Sequence, residues 1–260
     1  MMNLTNDTIE RFLAFLESNL KTCLQQIAKS TCDLRQSHKH GDKKQLIMSF
    51  YEDAKRIRQK HFDWSPPAIK LEETNKEIMG PFYLDGTFTY NPTNSVVNGD
   101  VLKMVVIHET EPGHHYMFTY MDARALPVDD DNIAYIEGWA LYAESLSGET
   151  DKCKYYMSRL IRLLRSIGDI YINYQNKDQK VVRDLFAKHN HLAHLDIDKE
   201  IHRIEDKPGY NVCYVMGEQQ FFQLRKQFRK KFPEKSLVDF HKFVLGQGVV
   251  PFDKLKDKLI

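Results

Sequence analysis

The sequence has no excess charge of either sign, no long apolar run, no internal repeat and few cysteines. Lys+Arg number 37 against 36 Asp+Glu over 260 residues, so no basic face for nucleic acid is expected. No apolar run approaches the roughly 20 residues of a membrane span. The start, Met1-Met2-Asn3-Leu4-Thr5-Asn6-Asp7, has neither the basic opening nor the apolar core of a signal peptide. The four cysteines (Cys23, Cys32, Cys153, Cys213) form no CxxC pair, which argues against a Cys-based zinc site and a disulfide framework. Reduced thiols and a cytoplasmic location are therefore expected. What remains, 42% hydrophobic and 28% charged, is a globular chain long enough to bury a core as one large or two small domains.

The apolar spacing predicts a mainly helical chain with a small β-sheet. Ile9, Phe12, Leu13, Phe15, Leu16, Leu20 and Leu24 recur at threes and fours and draw one stripe on a helix over 7–30. A second helix, 43–61, ends before Ser65-Pro66-Pro67. The period then changes to alternation at 68–73, 82–84 and 87–91, with Asp85-Gly86 as a hairpin turn. Thr87 to Asn91 is read as a strand edge able to pair with an extended peptide. From residue 101 the pattern is helical almost to the end, in segments 101–110, 114–124, 132–147, 151–175, 178–190, 196–205, 211–231 and 236–245.

The chemistry concentrates in His108-Glu109-Thr110-Glu111-Pro112-Gly113-His114-His115, which places three histidines and two carboxylates within eight residues. Zinc hydrolases use adjacent His and Glu because one ligates the metal while the next activates water. A strict HExxH is absent, since Pro112 stands four residues after His108. On a straight helix His114 would lie roughly 240° around the axis and His115 about 10.5 Å along it. Pro112 cannot donate to the carbonyl of His108, and Gly113 permits a bulge, which would return His114 to the place of an i+4 ligand. His114 is preferred to His115 on that ground. Glu109 then becomes the general base, and Glu111 is read as solvated or as a partner for a histidine. Glu137, within Tyr135-Ile136-Glu137-Gly138-Trp139-Ala140, is the third ligand; the alternative is a glutamate favoured by a helix N-terminus. Glu144 lies two turns further on, as outer support or a structural residue. His38 and His40 form a rival pair, but i and i+2 point to opposite sides of a regular element and no acid adjoins them.

HETEPGHH followed by EGWALYAE resembles a family of metallopeptidase-like bacterial proteins, often called lipoproteins, that carry HExxPGHH and then EGWAxYxE within the gluzincin superfamily. Ile136-Glu137-Gly138-Trp139-Ala140 is also similar to the Asn-Glu-Gly-Phe-Ala segment of aminopeptidase N relatives, whose Glu is the third zinc ligand. Glu200-Ile201-His202-Arg203, Pro208-Gly209-Tyr210, Cys213-Tyr214-Val215-Met216-Gly217 and Phe240-His241 extend the resemblance, which covers about 80 to 258. Beyond the N-terminal helical segment, 1–67, it implies a metallopeptidase-like domain, 68–260, of gluzincin-like architecture. By position Tyr214 would donate to an oxyanion or be a core tyrosine. Arg203 would bind a substrate carboxylate or pair with Glu200, and His241 would be packed or at the surface. There are departures: Tyr210 stands at a usual Gln, Asn173 at a usual His, and members are about twice this length.

The expected function is a zinc-dependent peptidase, one Zn2+ per chain on His108, His114 and Glu137, with Glu109 and Tyr214 catalytic and peptides as substrates. Two alternatives stand beside it. One is an inactive or truncated relative acting as a metal-containing binding module, and the other is a hydrolase of a different amide or ester.

Overall fold

The computed structural model describes residues 6–30, 43–78, 80–93, 99–147, 152–189, 192 and 195–259. Eleven α-helices, a π-helical turn and three strands are seen among them: α1 (Asn6–Lys29), α2 (Lys43–His61), β1 (Lys70–Glu73), β2 (Phe82–Leu84), β3 (Thr87–Tyr90), α3 (Gly99–Glu109), α4 (His114–Asp122), α5 (Ile133–Ser145), α6 (Lys152–Asp169), the π turn Ile170–Tyr174, α7 (Gln179–Ala187), α8 (Ile197–Asp206), α9 (Tyr210–Lys231), α10 (Leu237–Leu245) and α11 (Phe252–Asp257). The fold is mainly α with a small sheet. No described helix is long and apolar enough to cross a membrane. His38 and His40 lie outside the described residues.

The sheet runs β1-β3-β2, with β1 parallel and β2 antiparallel to β3. Asp85 and Gly86 both take positive φ, 44° and 77°, the backbone that a tight hairpin needs. The expected peptide-pairing edge is corrected here. Strand β3 is central and both its sides are already paired, so the free edges belong to β1 and β2. Phe88 and Tyr90 on the buried face of β3 pack with Ile47 and Phe50 of α2 and Leu102 and Val106 of α3, which fixes the sheet over the N-terminal half of α3.

Two cores among the described helices carry the body. The stripe of α1 (Ile9, Leu16, Cys23, Ile27) shares one core with Leu160, Leu163, Leu164 and Ile167 of α6. A second, aromatic core gathers Tyr135, Trp139 and Tyr142 of α5, Phe221 and Phe228 of α9, and Phe240 of α10. His241 belongs to it. The imidazole stacks on Phe62 at 4.2 Å, accepts from the Tyr142 hydroxyl at 2.9 Å and donates to the His61 carbonyl at 2.9 Å. Burial pushes it down to about 3 and keeps it neutral. Cys153 is disulfide-bonded, which corrects the expectation of four reduced thiols; Cys23 and Cys213 are free.

Helices α5 and α9 meet at two glycines. A Cβ on Gly138 would stand 2.4 Å from the carbonyl carbon of Gly217, and one on Gly217 would stand 1.7 Å from the carbonyl oxygen of Ala134. Neither position admits a side chain unless the helices separate. Gly217→Ala should therefore lower stability by about 1–3 kcal/mol or more, read as a fall in the urea midpoint. An unchanged midpoint would show that this contact is not close-packed in solution.

Candidate metal centre

The break expected at Pro112 is larger than a bulge. Helix α3 ends at Glu109 and a new helix, α4, begins at His114. The link between them, Thr110 to Gly113, holds a cis Glu111–Pro112 bond. Three contacts hold the link in place. Thr110 keeps its amide on Val106 O at 2.9 Å, Tyr116 N donates to Thr110 O at 3.2 Å, and the Trp139 indole of α5 donates to Pro112 O at 3.0 Å. Gly113 is required, because a Cβ there would lie 1.9 Å from the carbonyl oxygen of His108. The link carries His114 back against His108, with ring centroids 4.7 Å apart. His115 points elsewhere, with Nε2 on the Pro67 carbonyl at 2.8 Å and Nδ1 3.4 Å from the Tyr83 hydroxyl.

Glu137, from α5, completes a triangle. Its Oε2 lies 3.2 Å from His108 Nε2 and 3.4 Å from His114 Nε2. Three ligands at bond lengths of roughly 2.0–2.1 Å around a tetrahedral zinc stand about 3.3–3.5 Å from one another, so these separations suit the ion. The Glu109 carboxylate also gathers with the two imidazoles, donor atoms of His108, Glu109 and His114 all lying within 4.8 Å of one another. Of the two carboxylates, Glu137 touches both Nε2 atoms, whereas Glu109 Oε2 accepts the backbone N–H of Tyr83 on β2 at 3.0 Å. That leaves Glu109 beside the triangle and not at its vertex.

Further groups orient these. His108 Nδ1 sits 2.9 Å from Glu144 Oε1, and the other Glu144 oxygen accepts the Ser158 hydroxyl at 2.7 Å; this is the carboxylate–histidine arrangement that holds metal-bound imidazoles. Tyr210 donates to Glu137 Oε1 at 2.5 Å, and Tyr214 donates to the Tyr210 oxygen at 3.3 Å. The Tyr214 ring lies along His108 at 6.0 Å. All of these residues except Glu144 and Ser158 line one cavity of about 780 Å³, bounded on the sheet side by Phe82, Tyr83 and Leu84.

A family model described as "Bacterial protein of unknown function (DUF885)" matches residues 5–259. The chain belongs to this family. Two solved structures share the fold of the DUF885 chain, each called a "putative lipoprotein". The one from Colwellia psychrerythraea has 21% identity and a TM-score of 0.77, over 97% of this chain and 50% of that one. The other, from Shewanella oneidensis and of unknown function, has 15% identity and a TM-score of 0.77, over 96% and 56%. The chain thus spans about half the length of these structures. No curated protein matches it.

The five expected site residues of the DUF885 chain, His108, Glu109, His114, Glu137 and Tyr214, line the same cavity. Two other readings are corrected. Glu111 is neither solvated nor a histidine partner; it is buried and receives Arg58 Nε at 2.9 Å and the Tyr51 hydroxyl at 2.8 Å. Glu200 does not use Arg203, three residues on. It takes Arg165 in a two-point pair at 2.5 and 2.7 Å, leaving Arg203 on the cavity wall. Tyr210, noted in the sequence only as a departure, touches the proposed third ligand directly. Its spacing of four from Tyr214, which puts both hydroxyls on one helical face, was the available signal.

The site's protonation follows from its contacts. Burial works against a charged His108, but hydrogen bonds to Glu137 and Glu144 outweigh it and raise the imidazole to about 9. Glu137 is held well below the usual carboxylate range, burial opposing and the hydrogen bonds and charge of the two histidines prevailing. Desolvation raises the Glu109 carboxyl, partly offset by His114 and His108, the direction useful to a general base. In metal-free protein the His108 contribution is fully present below the unfolded value of 6.5 and is lost as pH rises through about 9. Chelator-treated protein should accordingly lose thermal stability between those limits, and His108→Asn should flatten that decline. A melting temperature level across the window in the unsubstituted protein would show that His108 is not charged in the folded state.

Proposed function

We propose that this DUF885 chain is a zinc-dependent peptidase of gluzincin type. The observation that carries the reading is the triangle of His108, His114 and Glu137 with Glu109 at its side, opening into a cavity large enough for several residues of peptide. His108, His114 and Glu137 would hold the metal through two nitrogens and one oxygen, a set suited to zinc with a position left for substrate. When bound, zinc would polarise the scissile carbonyl and acidify water. Glu109 takes the proton of the attacking water, which its raised pKa favours, and returns it to the leaving amine. Tyr214 donates its O–H to the oxyanion as charge develops on the carbonyl oxygen. Tyr210 fixes the Glu137 carboxylate, and Glu144 fixes the tautomer and angle of His108.

A metal-containing binding module is the competing reading. It is favoured by Asn173, whose amide is engaged by Asp169 Oδ1 at 2.9 Å and Ile204 O at 3.0 Å. As to location, the disulfide at Cys153 and the names of the two neighbours favour an oxidising, extracytoplasmic setting over the cytoplasm.

Untagged protein should carry one zinc per chain by elemental analysis, and His114→Ala and Glu137→Ala should each lose it, whereas His115→Ala should keep it. Against a peptide library, Glu109→Gln should retain metal yet cut kcat at least 100-fold. Protein that binds zinc but cleaves no peptide would support the module; protein that cannot be loaded at all would overturn the metal reading.

A further inference from the structure

One wall of the cavity is made of arginines. Arg162 and Arg165 project from α6 and Arg203 from α8. Arg165 is neutralised by its two-point pair with Glu200. The other two have no such partner. Arg162 comes no nearer a carboxylate than 3.8 Å, to Glu144 Oε1, and Glu144 is already engaged by His108 at 2.9 Å and Ser158 at 2.7 Å. The Nε atoms of Arg162 and Arg203 are both buried without a hydrogen-bond partner. Fixed guanidinium groups packed beside one another are repulsive, and the depressed pKa of Arg203, caused first by Arg165 and then by burial, records that strain. An arrangement that stability disfavours, facing a cavity, marks a place where an anion belongs.

The position relative to the metal triangle narrows the anion. The Tyr214 ring lies 6.0 Å from the His108 ring, and the Arg162 guanidinium lies 5.4 Å from the Tyr214 ring. Arg162 is thus within roughly three to four residues of extended chain, at ~3.3–3.6 Å each, of a bond held beside His108, and Arg203 lines the same cavity.

We propose that Arg162 and Arg203 form a subsite that binds a carboxylate of the peptide substrate. The planar forks suit two-point recognition of a carboxylate. The favoured source is the free C-terminal carboxylate, so that cleavage falls within a few residues of the C-terminus. The inference rests on reading the cavity as a peptide site, but its test does not require turnover.

Binding of three alanine-based tetrapeptides to Glu109→Gln protein, with and without zinc, would be measured by calorimetry: a free acid, its C-terminal amide, and an amide carrying one glutamate. The free acid should bind at least 10-fold more tightly than the plain amide. Arg203→Gln and Arg162→Gln should each erase that difference, and Arg203→Lys should restore only part of it. Since Arg203 Nε is buried without a hydrogen-bond partner and Arg165 and Arg162 repel the guanidinium, Arg203→Gln should leave the melting temperature unchanged or raised. If the glutamate-bearing amide matches the free acid, the subsite stands and a side-chain carboxylate is its ligand. Equal binding of the free acid and both amides to the parent protein, or a preference that survives both arginine substitutions, would overturn the subsite. Absence of cleavage in the unsubstituted chain, with the binding preference intact, would instead defeat the peptidase reading alone.

Discussion

The backbone contact between α5 and α9 governs where every group in the cavity stands. Gly138 and Gly217 let the two helices approach until the backbone of one replaces a side chain of the other. Glu137 immediately precedes Gly138, and Tyr214 lies one turn before Gly217, so the same contact that joins the helices brings the Tyr210–Tyr214 face of α9 over the Glu137 carboxylate. On the other side of α5, Trp139 is sealed in the aromatic core and reaches back to the Pro112 carbonyl. One short helix therefore holds a carboxylate, the link that turns His114 inward and, through Glu144, the orientation of His108. A loose interface would blur all three at once.

Placing these charges in the interior has a physical consequence. Glu137 and Glu144 are both buried, as are His108 and His114, and an interior carboxylate is tolerated only when it is paired or coordinates a metal. Without a metal, the site meets that demand by keeping a proton on His108, which then satisfies Glu137 on one nitrogen and Glu144 on the other. A divalent cation held at the triangle would do the same electrostatic work with more charge and leave the imidazole neutral. The raised His108 value is thus a reading of how strongly the cluster calls for positive charge.

Much of this was legible along the chain. The helices and strands follow from apolar period, and the residues that meet in the cavity follow from the chemistry of an interrupted HExxH and a glutamate on an apolar helix. What escaped the sequence depends on pairings across the chain. Arg58 and Tyr51 come from α2 to bury Glu111, and Arg165 comes from α6 to take Glu200 from its near neighbour Arg203. A pairing at i and i+3 is only one option when another helix offers a better-aligned fork. The centrality of β3 escaped for a similar reason: hairpin signals fix which strands are joined by a turn, not which strand from further back adds to the outside.

Asn173 shows how a departure from a family pattern changes its meaning in three dimensions. In the sequence it is a missing histidine and counts against activity. In the structure it lies in the π turn and steadies Asp169, whose two oxygens accept the backbone N–H groups of Gly209 and Asn211 at 2.9 and 3.0 Å. Those are the first, otherwise unpartnered donors of α9, since Gly209 at its N-cap has no side chain to offer. A carboxylate supplied from α6 therefore starts the helix that carries Tyr210 and Tyr214, and its negative charge opposes the positive end of that helix favourably. Where the resemblance leads one to expect a titratable ring, this chain has an amide that braces the cap. The change bears on how firmly the two tyrosines are held, and only through them on the chemistry.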